Sequence, residues 1–434
     1  MQPLGPFGPA PLVAAGVSGG PDSLALALLA AAWARARGGS LLALVAEHGL
    51  RAESAAEAAA VASLLAARGI AVRVLPLGLG PGPGLQERAR AARHAALLAA
   101  CAEAGRPWLL LGHQRGDQAE TLLFRALRGS GPAGLAAMAP LRVAPAALVL
   151  RPLLDVPPAR LEAVVAAAGL TPVRDASNAD PRFARARLRA ALGEPGGTGP
   201  ATAALAEAAG AFARRRARLA MAVAARLAES TRLRPEGFAE LDPGRLGADA
   251  VADAALAALL RAIGGAGFAP PRAAVAALRR QGAGTLAGAW LRPGPRGGWR
   301  LLREPAGLGP PVAARCGAVW DGRFRLLGPG APGHAMGPLG PAAAAGLRRR
   351  APGLPAAVLS TLSAIRYNGV LVAVPGLDYP SPEHCAAFGT VFAPAGDAVS
   401  EAFSADSTVT RHRGHSRPGL ASLSCGTLAS GRCA

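Results

Sequence analysis

The chain has 434 residues, which is enough for two or three domains. It contains no lysine, so arginine supplies all 47 of its Lys+Arg residues, and against 27 acidic residues the net charge is +20. This composition excludes an internal Schiff base and a Walker-type phosphate loop, which both need lysine, and it favours an acidic partner such as nucleic acid.

Apolar runs alternate with helix-like segments from Leu12 to Leu192. The predicted strands are 11–17, 41–47, 71–77 and 108–113, and the helices that follow them are 21–36, 54–68, 85–105 and a last one from 117. Because the strands are apolar throughout, they predict a parallel sheet with helices on both faces, which is a doubly wound α/β fold. In such folds ligands bind beyond the carboxyl ends of the strands.

The remainder of the chain is predicted to form smaller units. A linker-like stretch, GEPGGTGP at 193–200, follows a first domain over 1–195. A helical domain is expected over 196–305, with helices at 201–230 and 249–263 and a hairpin at 288–304. Short strand-like pieces predict a small α+β domain over 310–397. The Ser-, Gly- and Thr-rich residues 398–434 predict a disordered tail.

The hexapeptide SGGPDS lies between the first strand and the first helix. Its residues are Ser18, Gly19, Gly20, Pro21, Asp22 and Ser23. The glycines let backbone N–H groups approach an anion, and the helix adds its positive N-terminal end. The serines supply hydroxyls, and Asp22 can hold a Mg²⁺ ion that is already bound to phosphates. An ordinary turn with Asp22 as helix N-cap is the alternative, and the full hexapeptide in this position favours a phosphate site.

This hexapeptide resembles the phosphate loop of the PP-loop ATP pyrophosphatase superfamily. The resemblance implies ATP and Mg²⁺ as cofactors. It also implies cleavage of ATP between the α- and β-phosphates, adenylation of an oxygen, and displacement of AMP by a nucleophile. Such chemistry suits a site without lysine, because Mg²⁺ and backbone dipoles can stabilise the developing charge.

Four further stretches follow one another as in the tRNA(Ile)-lysidine synthetase family, which the chain resembles over about residues 10–395. They are EHGLRAESAAEAA (47–59), LQERARAARH (85–94), GHQRGDQAETLLFRALRGSG (112–131) and RDASNADPRFARARLR (174–189). The resemblance implies a carbon–nitrogen ligase that attaches free lysine to C2 of the wobble cytidine in the CAU anticodon of tRNA(Ile). The product, formed through an adenylated intermediate, reads AUA rather than AUG. The two C-terminal regions would hold the tRNA.

The chain departs from the family pattern at three positions. Glu47 stands where the family usually has aspartate, and Gly116 stands where it has the first of two aspartates, which leaves only Asp117. Ala186 replaces a customary asparagine. The change at Gly116 removes a carboxylate and so bears on metal or substrate affinity.

Site residues are carried over by resemblance, and each has a simpler alternative. The catalytic candidates are Asp22, Asp117 and His113, and the substrate-binding candidates are Asp117, Glu120 and Arg93. Two carboxylates at the carboxyl end of a strand suit a cationic amino acid, but D-x-x-E at 117–120 could also only cap a helix. His113 could simply pack, and Arg93, three residues after Arg90, could belong to a solvated stripe.

Two other functions stay open at this point. One is a different tRNA-modifying enzyme of the superfamily, although the chain has neither the CxxC pair expected of thiolating members nor a glutaminase-like segment. The other is a nucleic-acid-binding protein with a decayed nucleotide site, which Gly116 favours. The run RRRAR (214–218) is either a solvated helix face or a contact with the tRNA backbone.

Location and assembly are less strongly indicated. Five cysteines without close spacing argue against metal–thiolate sites and disulfide frameworks, and they fit a cytoplasmic setting. The chain lacks an uninterrupted apolar run of about 18 residues, so we expect no membrane span. The N-terminal residues lack the positive segment of a signal peptide. A homodimer stays open.

Overall fold

The structure is a computed structural model, and it describes residues 1–47, 49, 54–80, 82–144, 146–173, 184–194 and 198–394. The predicted disordered tail lies outside the described residues. So does the RDASNADPRF part of the last family stretch, at 174–183.

The first region alternates strands and helices as predicted. Its elements are β1 (Leu12–Val17), α1 (Pro21–Arg35), β2 (Ser40–Glu47), α2 (Ser54–Ala66), β3 (Ala71–Pro76), α3 (Leu85–Glu103), β4 (Trp108–Leu111), α4 (Arg115–Leu127), α5 (Pro132–Leu135), β5 (Leu141–Val143), β6 (Leu148–Leu150), α6 (Pro158–Ala167) and α7 (Ala184–Leu192). The four predicted strands and the helices after them are all present. Strands β5 and β6 extend the sheet beyond the prediction.

The strands form one sheet in the order β3-β2-β1-β4-β6-β5. All neighbouring pairs are parallel except β5 and β6, which are antiparallel. Because β1 lies between β2 and β4, the order of the strands reverses between β1 and β4. This is a topological switch point, and the carboxyl ends of these two strands flank the crevice in which open α/β sheets bind ligands.

Helices cover both faces of this sheet. On one face, Leu24 of α1, Leu65 of α2 and Leu161 of α6 join a single buried cluster. On the other face, Leu97 and Cys101 of α3 pack against the strands. Alternate residues of β1 enter the two clusters, which explains why the strand is apolar throughout. The predicted doubly wound α/β fold is therefore confirmed.

The second region contains the predicted helices and also a sheet. Its elements are α8 (Pro200–Ser230), β7 (Thr231–Arg234), β8 (Phe238–Leu241), α9 (Pro243–Leu246), α10 (Ala250–Gly264), α11 (Arg272–Gln281), β9 (Gly284–Leu286), β10 (Ala289–Pro293) and β11 (Trp299–Arg303). The predicted hairpin is β10–β11, and it is part of an antiparallel sheet ordered β7-β8-β11-β10-β9. The description of this region as helical was therefore incomplete. Its strands have no more than five residues, too few for a clear alternating pattern.

The third region has the predicted α+β character. Its elements are β12 (Val312–Arg315), β13 (Val319–Trp320), β14 (Phe324–Leu326), β15 (Gly330–Pro338), α12 (Pro341–Gly346), α13 (Ala356–Ser360), β16 (Ser363–Tyr367), β17 (Val370–Ala373), α14 (Pro382–Cys385) and β18 (Thr390–Phe392). Short 3₁₀ turns lie at Gln2–Leu4, Pro295–Gly297, Pro305–Gly307, Arg348–Arg350, Pro375–Leu377 and Ala386–Phe388. The strands form two antiparallel sheets, ordered β12-β15-β16-β17 and β13-β14-β18.

Buried contacts join the three regions. Leu122 of α4 packs with Ala209 of α8, and Phe238 and Leu302 pack with Val358 of α13. The boundaries at 195 and 305–310 stay predictions.

Among the helices that the structure describes, none combines the length and apolar character needed to cross a bilayer. Cys101, Cys316 and Cys385 are free thiols.

Candidate active site

The SGGPDS loop joins β1 to α1 at the switch point. Gly19 has φ of +85°, and a Cβ there would lie 2.7 Å from Val61 Cγ2, so only glycine fits. Ser23 Oγ accepts the N–H of Ser18 at 3.1 Å and donates to the carbonyl of Gly20 at 3.0 Å. These bonds hold the loop against the first turn of α1.

Asp22 does not cap this helix. Helix α1 begins at Pro21, its N-cap residue is Gly20, and no side chain in the described part of the chain caps it. The alternative of an N-capping Asp22 is therefore wrong. The N–H groups of Asp22 and Ser23 in the first turn are therefore not capped by a side chain, and with the helix dipole they suit an anion.

The motif after β4 lies directly against the loop. A Cβ on Gly112 would lie 3.1 Å from the carbonyl oxygen of Asp22 and from Cα of Ser23, so glycine permits this approach. From a third stretch, the N–H of Val173 donates to the carbonyl of Gly19 at 2.9 Å. Three segments that are distant in sequence therefore meet at the phosphate loop.

Helix α4 is capped, but its capping box begins at Gln114 and not at Asp117, as D-x-x-E would suggest. The helix begins at Arg115 with Gln114 as N-cap. Gln114 Oε1 accepts the N–H of Gly116, and Asp117 Oδ2 accepts the N–H of Gln114 at 3.0 Å. Asp117 thus completes the capping box as its third helical residue, and Glu120 is not part of the box. A Cβ on Gly116 would lie 3.1 Å from Gln114 Oε1, so the glycine leaves room for this amide.

Glu120 instead forms an ion pair in the interior. It is only 4% exposed, and its Oε1 accepts a hydrogen bond from Nε of Arg189 on α7. The sequence analysis did not single out Arg189. The only signal for it was its position as the last residue of the stretch RDASNADPRFARARLR.

The charges of these side chains act on one another. Burial, followed by the carboxylates of Asp117 and Glu162, raises the pKa of Asp22 from 3.8 to about 6, and Arg189 opposes this rise. Burial alone would lower the pKa of Arg189. The hydrogen bond and charge of Glu120, with the charges of Asp117 and Asp22, outweigh burial and raise it. Among the described residues, the Arg189 guanidinium therefore lies near the carboxylates of Asp22, Asp117 and Glu120.

Asp22 fits a Mg²⁺ ion that arrives with phosphates. No cluster of three or more His, Cys, Asp or Glu within the described ranges could hold a metal by itself. Magnesium, however, is usually held by one or two carboxylates together with substrate phosphates and water. Burial is the main cause of the raised pKa of Asp22, and repulsion from Asp117 adds to it. A cation bound at Asp22 would relieve that repulsion.

His113 and Glu47 lie at the same edge of the sheet. His113 is partly buried and follows the last residue of β4 by two positions. Glu47 ends β2, and its carboxylate accepts hydrogen bonds from the N–H of Gly49, at 2.6 Å, and from the hydroxyl of Ser54. The side chain of Glu47 is longer than that of aspartate, and its carboxylate holds the two ends of the connection between β2 and α2 by these hydrogen bonds.

Arg93 belongs to a cluster of positive charge beside α3. Its neighbour His94 is hydrogen-bonded to Arg142, and His94 has its pKa lowered by burial and then by four arginines. We call these the His94 arginine cluster: Arg142, Arg151, Arg90 and Arg93. None of the described groups that shift this pKa is acidic. A site of this charge suits an anion better than it suits the ammonium groups of lysine.

The run RRRAR lies on α8. Arg214, Arg215 and Arg218 are exposed, Arg216 is partly buried, and none of them forms an ion pair within the ranges that the structure describes. Helix α8 packs against α4 through Ala209 and Leu122. These arginines thus lie on α8, which packs against α4, the helix that contains Asp117.

Comparison with known proteins gives matches centred on the first domain. The family model of the PP-loop domain matches residues 5–195. The tRNA(Ile)-lysidine synthase of Rhodopseudomonas palustris is 50% identical over 183 residues, which is 42% of this chain and 53% of that protein. The tRNA(Ile)-lysidine synthase of Methylobacterium sp. strain 4-46 is 47% identical over 255 residues, 58% of this chain and 72% of that protein.

Among solved structures, the U34-tRNA thiolase NcsA from Methanococcus maripaludis with its [4Fe-4S] cluster has a TM-score of 0.41 at 18% identity. The match covers 50% of this chain and 75% of that one.

The chain spans about half the length of the Rhodopseudomonas relative and nearly three quarters of the Methylobacterium one. The part that the family model matches, 5–195, contains the phosphate loop and α4, whose residues meet at the switch point. On the identity and extent of the Methylobacterium match, the chain belongs to the tRNA(Ile)-lysidine synthase family.

Proposed function

We propose that this protein joins free lysine to C2 of the wobble cytidine, position 34, in CAU-anticodon tRNA(Ile), with conversion of ATP to AMP and diphosphate. One observation carries the proposal. An uncapped helix N-terminus meets the carboxylates of Asp22 and Asp117 at the switch point between β1 and β4. That arrangement suits a nucleotide with its metal and a cationic second substrate, and membership of the family names the reaction.

In the first step the phosphate loop binds ATP. Backbone N–H groups of the loop and of the first turn of α1 would hold the phosphates, and Asp22 would hold Mg²⁺, which neutralises phosphate charge. O2 of the cytidine attacks the α-phosphorus, the bond to the β-phosphate breaks, and diphosphate leaves. C2 of the base is then activated by the adenylate on O2.

In the second step the ε-amine of lysine attacks C2, and the bond between C2 and O2 breaks to release AMP. The amine must lose a proton to become a nucleophile. We assign the acceptor to His113, because an imidazole has an ordinary pKa near neutrality and this one follows β4 at the edge of the crevice. We assign Asp117 to bind the side-chain ammonium of lysine before that group loses its proton.

The tRNA is proposed to contact two groups of exposed and partly exposed arginines. The His94 arginine cluster and the run RRRAR present positive charge to phosphate, whereas lysine needs negative charge. The second and third regions, at 196–305 and 310–397, would hold parts of the tRNA outside the anticodon. Because its substrates are ATP, free lysine and tRNA, we place the protein in the cytoplasm.

The proposal is tested by incubation with ATP, labelled lysine and CAU-anticodon tRNA(Ile). We expect the label to enter the tRNA with release of AMP, and a tRNA carrying uridine at the wobble position should remain unlabelled. Exchange of labelled diphosphate into ATP that depends on tRNA would show the first step alone. A protein that binds tRNA but supports neither exchange nor labelling would be a binding protein with a decayed nucleotide site.

A further inference from the structure

The guanidinium of Arg189 is hydrogen-bonded through one of its three nitrogens within the described residues. Nε donates to Glu120, whose side chain is 5% exposed, whereas 34% of the Arg189 side chain is exposed. Within the residues that the structure describes, the two terminal nitrogens of this guanidinium make no hydrogen bond. A buried carboxylate thus orients a guanidinium whose outer edge can still donate to a ligand.

The surroundings of this open edge are anionic. Asp117 and Asp22 both stabilise the charged form of Arg189. Among the described groups that shift the pKa of Asp22, Arg189 is the cation and the others are carboxylates. The crevice therefore offers carboxylates and one oriented guanidinium together. This is a mixed set of charges rather than a surface for a simple polyanion.

The set complements a free amino acid that has a basic side chain. Such a substrate carries two ammonium groups and one α-carboxylate. Carboxylates of the protein suit the ammonium groups, but they would repel the α-carboxylate. A guanidinium binds a carboxylate through two parallel N–H donors, and Arg189 has such a pair of donors at its open edge.

We propose that Arg189 binds the α-carboxylate of the amino acid substrate and that Glu120 is the positioning residue that orients it. This inference rests on the proposed function. It assigns Glu120 a different role from the ammonium contact predicted from sequence, because Glu120 is buried and already engaged by Arg189. It also predicts that the enzyme selects a free amino acid over an amine of the same length.

The phosphates of ATP are the competing ligand for this guanidinium. The order of the interactions favours the amino acid. Its hydrogen-bonded partner, Glu120, is on α4. After burial, the groups that act on the pKa of Arg189 are Glu120, then Asp117, also on α4, and last Asp22 of the phosphate loop. Helix α4 is the element to which the proposed function assigns the lysine.

The test compares lysine with lysinamide, in which the α-carboxylate is replaced by a neutral amide. Lost charge-assisted hydrogen bonds predict that the wild type uses lysinamide about 10- to 150-fold less well in kcat/KM. Arg189→Met should lower kcat/KM for lysine by a similar factor and leave lysinamide nearly unchanged, so the preference should disappear. Diphosphate exchange that depends on tRNA, measured without amino acid, should stay at the wild-type level.

Two further variants guard against a simple loss of folding. Arg128→Met, at the exposed end of α4, should retain the preference for lysine over lysinamide. Glu120→Gln keeps the shape of the orienting group but not its charge, so it should weaken the preference partly and leave exchange intact. A thermal unfolding curve for each variant shows whether it is folded.

Three outcomes would overturn the inference. If Arg189→Met lowers exchange and the use of both amines equally, Arg189 serves the phosphates. If the variant keeps the preference for lysine, another group binds the carboxylate. If the wild type itself shows neither exchange nor transfer, the proposed function fails and takes this inference with it, whereas either of the first two outcomes leaves the proposed function in place.

Discussion

Among the described residues, two buried or partly buried clusters of arginine and aspartate have opposite effects on the pKa of their aspartate. At the junction of the second and third regions, Asp321 accepts hydrogen bonds from Arg303, Arg323 and the N–H of Gly309. Burial alone would raise the pKa of Asp321, but these partners outweigh it and lower the pKa. At the carboxyl edge of the parallel sheet, Asp22 has its pKa raised to about 6.

The difference separates a cluster that is paired within the fold from one that we propose binds substrates. In the junction cluster each of the three charged groups has its partner among the described residues. In the crevice the carboxylates outnumber the guanidinium, and the helix N-terminus is uncapped. Such unmet charge in a cleft is a mark of a binding or catalytic site. The following predictions test this contrast, from the largest expected effect to the smallest.

The junction cluster should be essential for stability. Asp321→Ala leaves Arg303 and Arg323, which are 5% and 0% exposed, without their carboxylate. Removing one partner of a buried ion pair typically costs about 3–5 kcal/mol, so the free energy of unfolding should fall by that amount. Urea denaturation measures it. Glu103→Ala, which removes an exposed partner of Arg73, is the control and should change stability far less.

The crevice should be essential for catalysis instead. Asp22→Ala removes a carboxylate assigned to Mg²⁺, and loss of an electrostatic contact to the transition state lowers the rate by about 10²–10³-fold. Lysine transfer to the tRNA should fall at least this far, and the affinity for tRNA should stay unchanged in a filter-binding assay. Transfer at the wild-type rate would contradict the assignment of Asp22.

Removing the charge of Asp22 should stabilise the ligand-free protein. The folded-state pKa, about 6, lies above the ordinary value of 3.8, so the unfolded chain loses this proton first as pH rises. Stability therefore declines between these two pH values and stays lower above the second, by up to about 3 kcal/mol. Asp22→Asn should then melt at a higher temperature than the wild type at pH 7.5 without Mg²⁺ or ATP.

This advantage of Asp22→Asn should vanish below about pH 4, where the wild-type carboxyl is protonated in both the folded and the unfolded state. Equal melting temperatures of the two proteins at pH 7.5 would show that the carboxylate is not destabilised in the fold.

The smallest effect is expected from the exposed arginines. If Arg214, Arg215 and Arg216 contact tRNA phosphates, replacing all three with alanine should weaken binding and reduce the slope of log affinity against log salt by up to about 3 units. Affinity measured across a range of salt concentrations tests this. Replacing Arg272, Arg280 and Arg296, three exposed arginines of the second region, in the same way is a control for net charge. An unchanged slope in the triple variant would leave the run as a solvated helix face.

The sequence predicted the first domain closely because its signals are local. Each strand is apolar throughout and each helix follows a turn, so β1 to β4 and α1 to α4 emerge at nearly the predicted positions. The phosphate loop could also be predicted from the sequence, because its motif includes Gly19. Only glycine fits there, since the chain has a positive φ and lies against the side chain of Val61. The sheet of the second region was harder to predict from the sequence. Its sheet consists of short strands that join residues far apart in the chain.

The sequence by itself therefore determined the architecture of the first domain, the anion site and the family. Only the tertiary structure decided how the charged residues are used. Within D-x-x-E, Asp117 joins a cap that begins at Gln114, whereas Glu120 turns inward to Arg189, 69 residues away. The physical reason is that periodicity and turn chemistry act between near neighbours, while the partner of a buried charge depends on which segments the fold brings together.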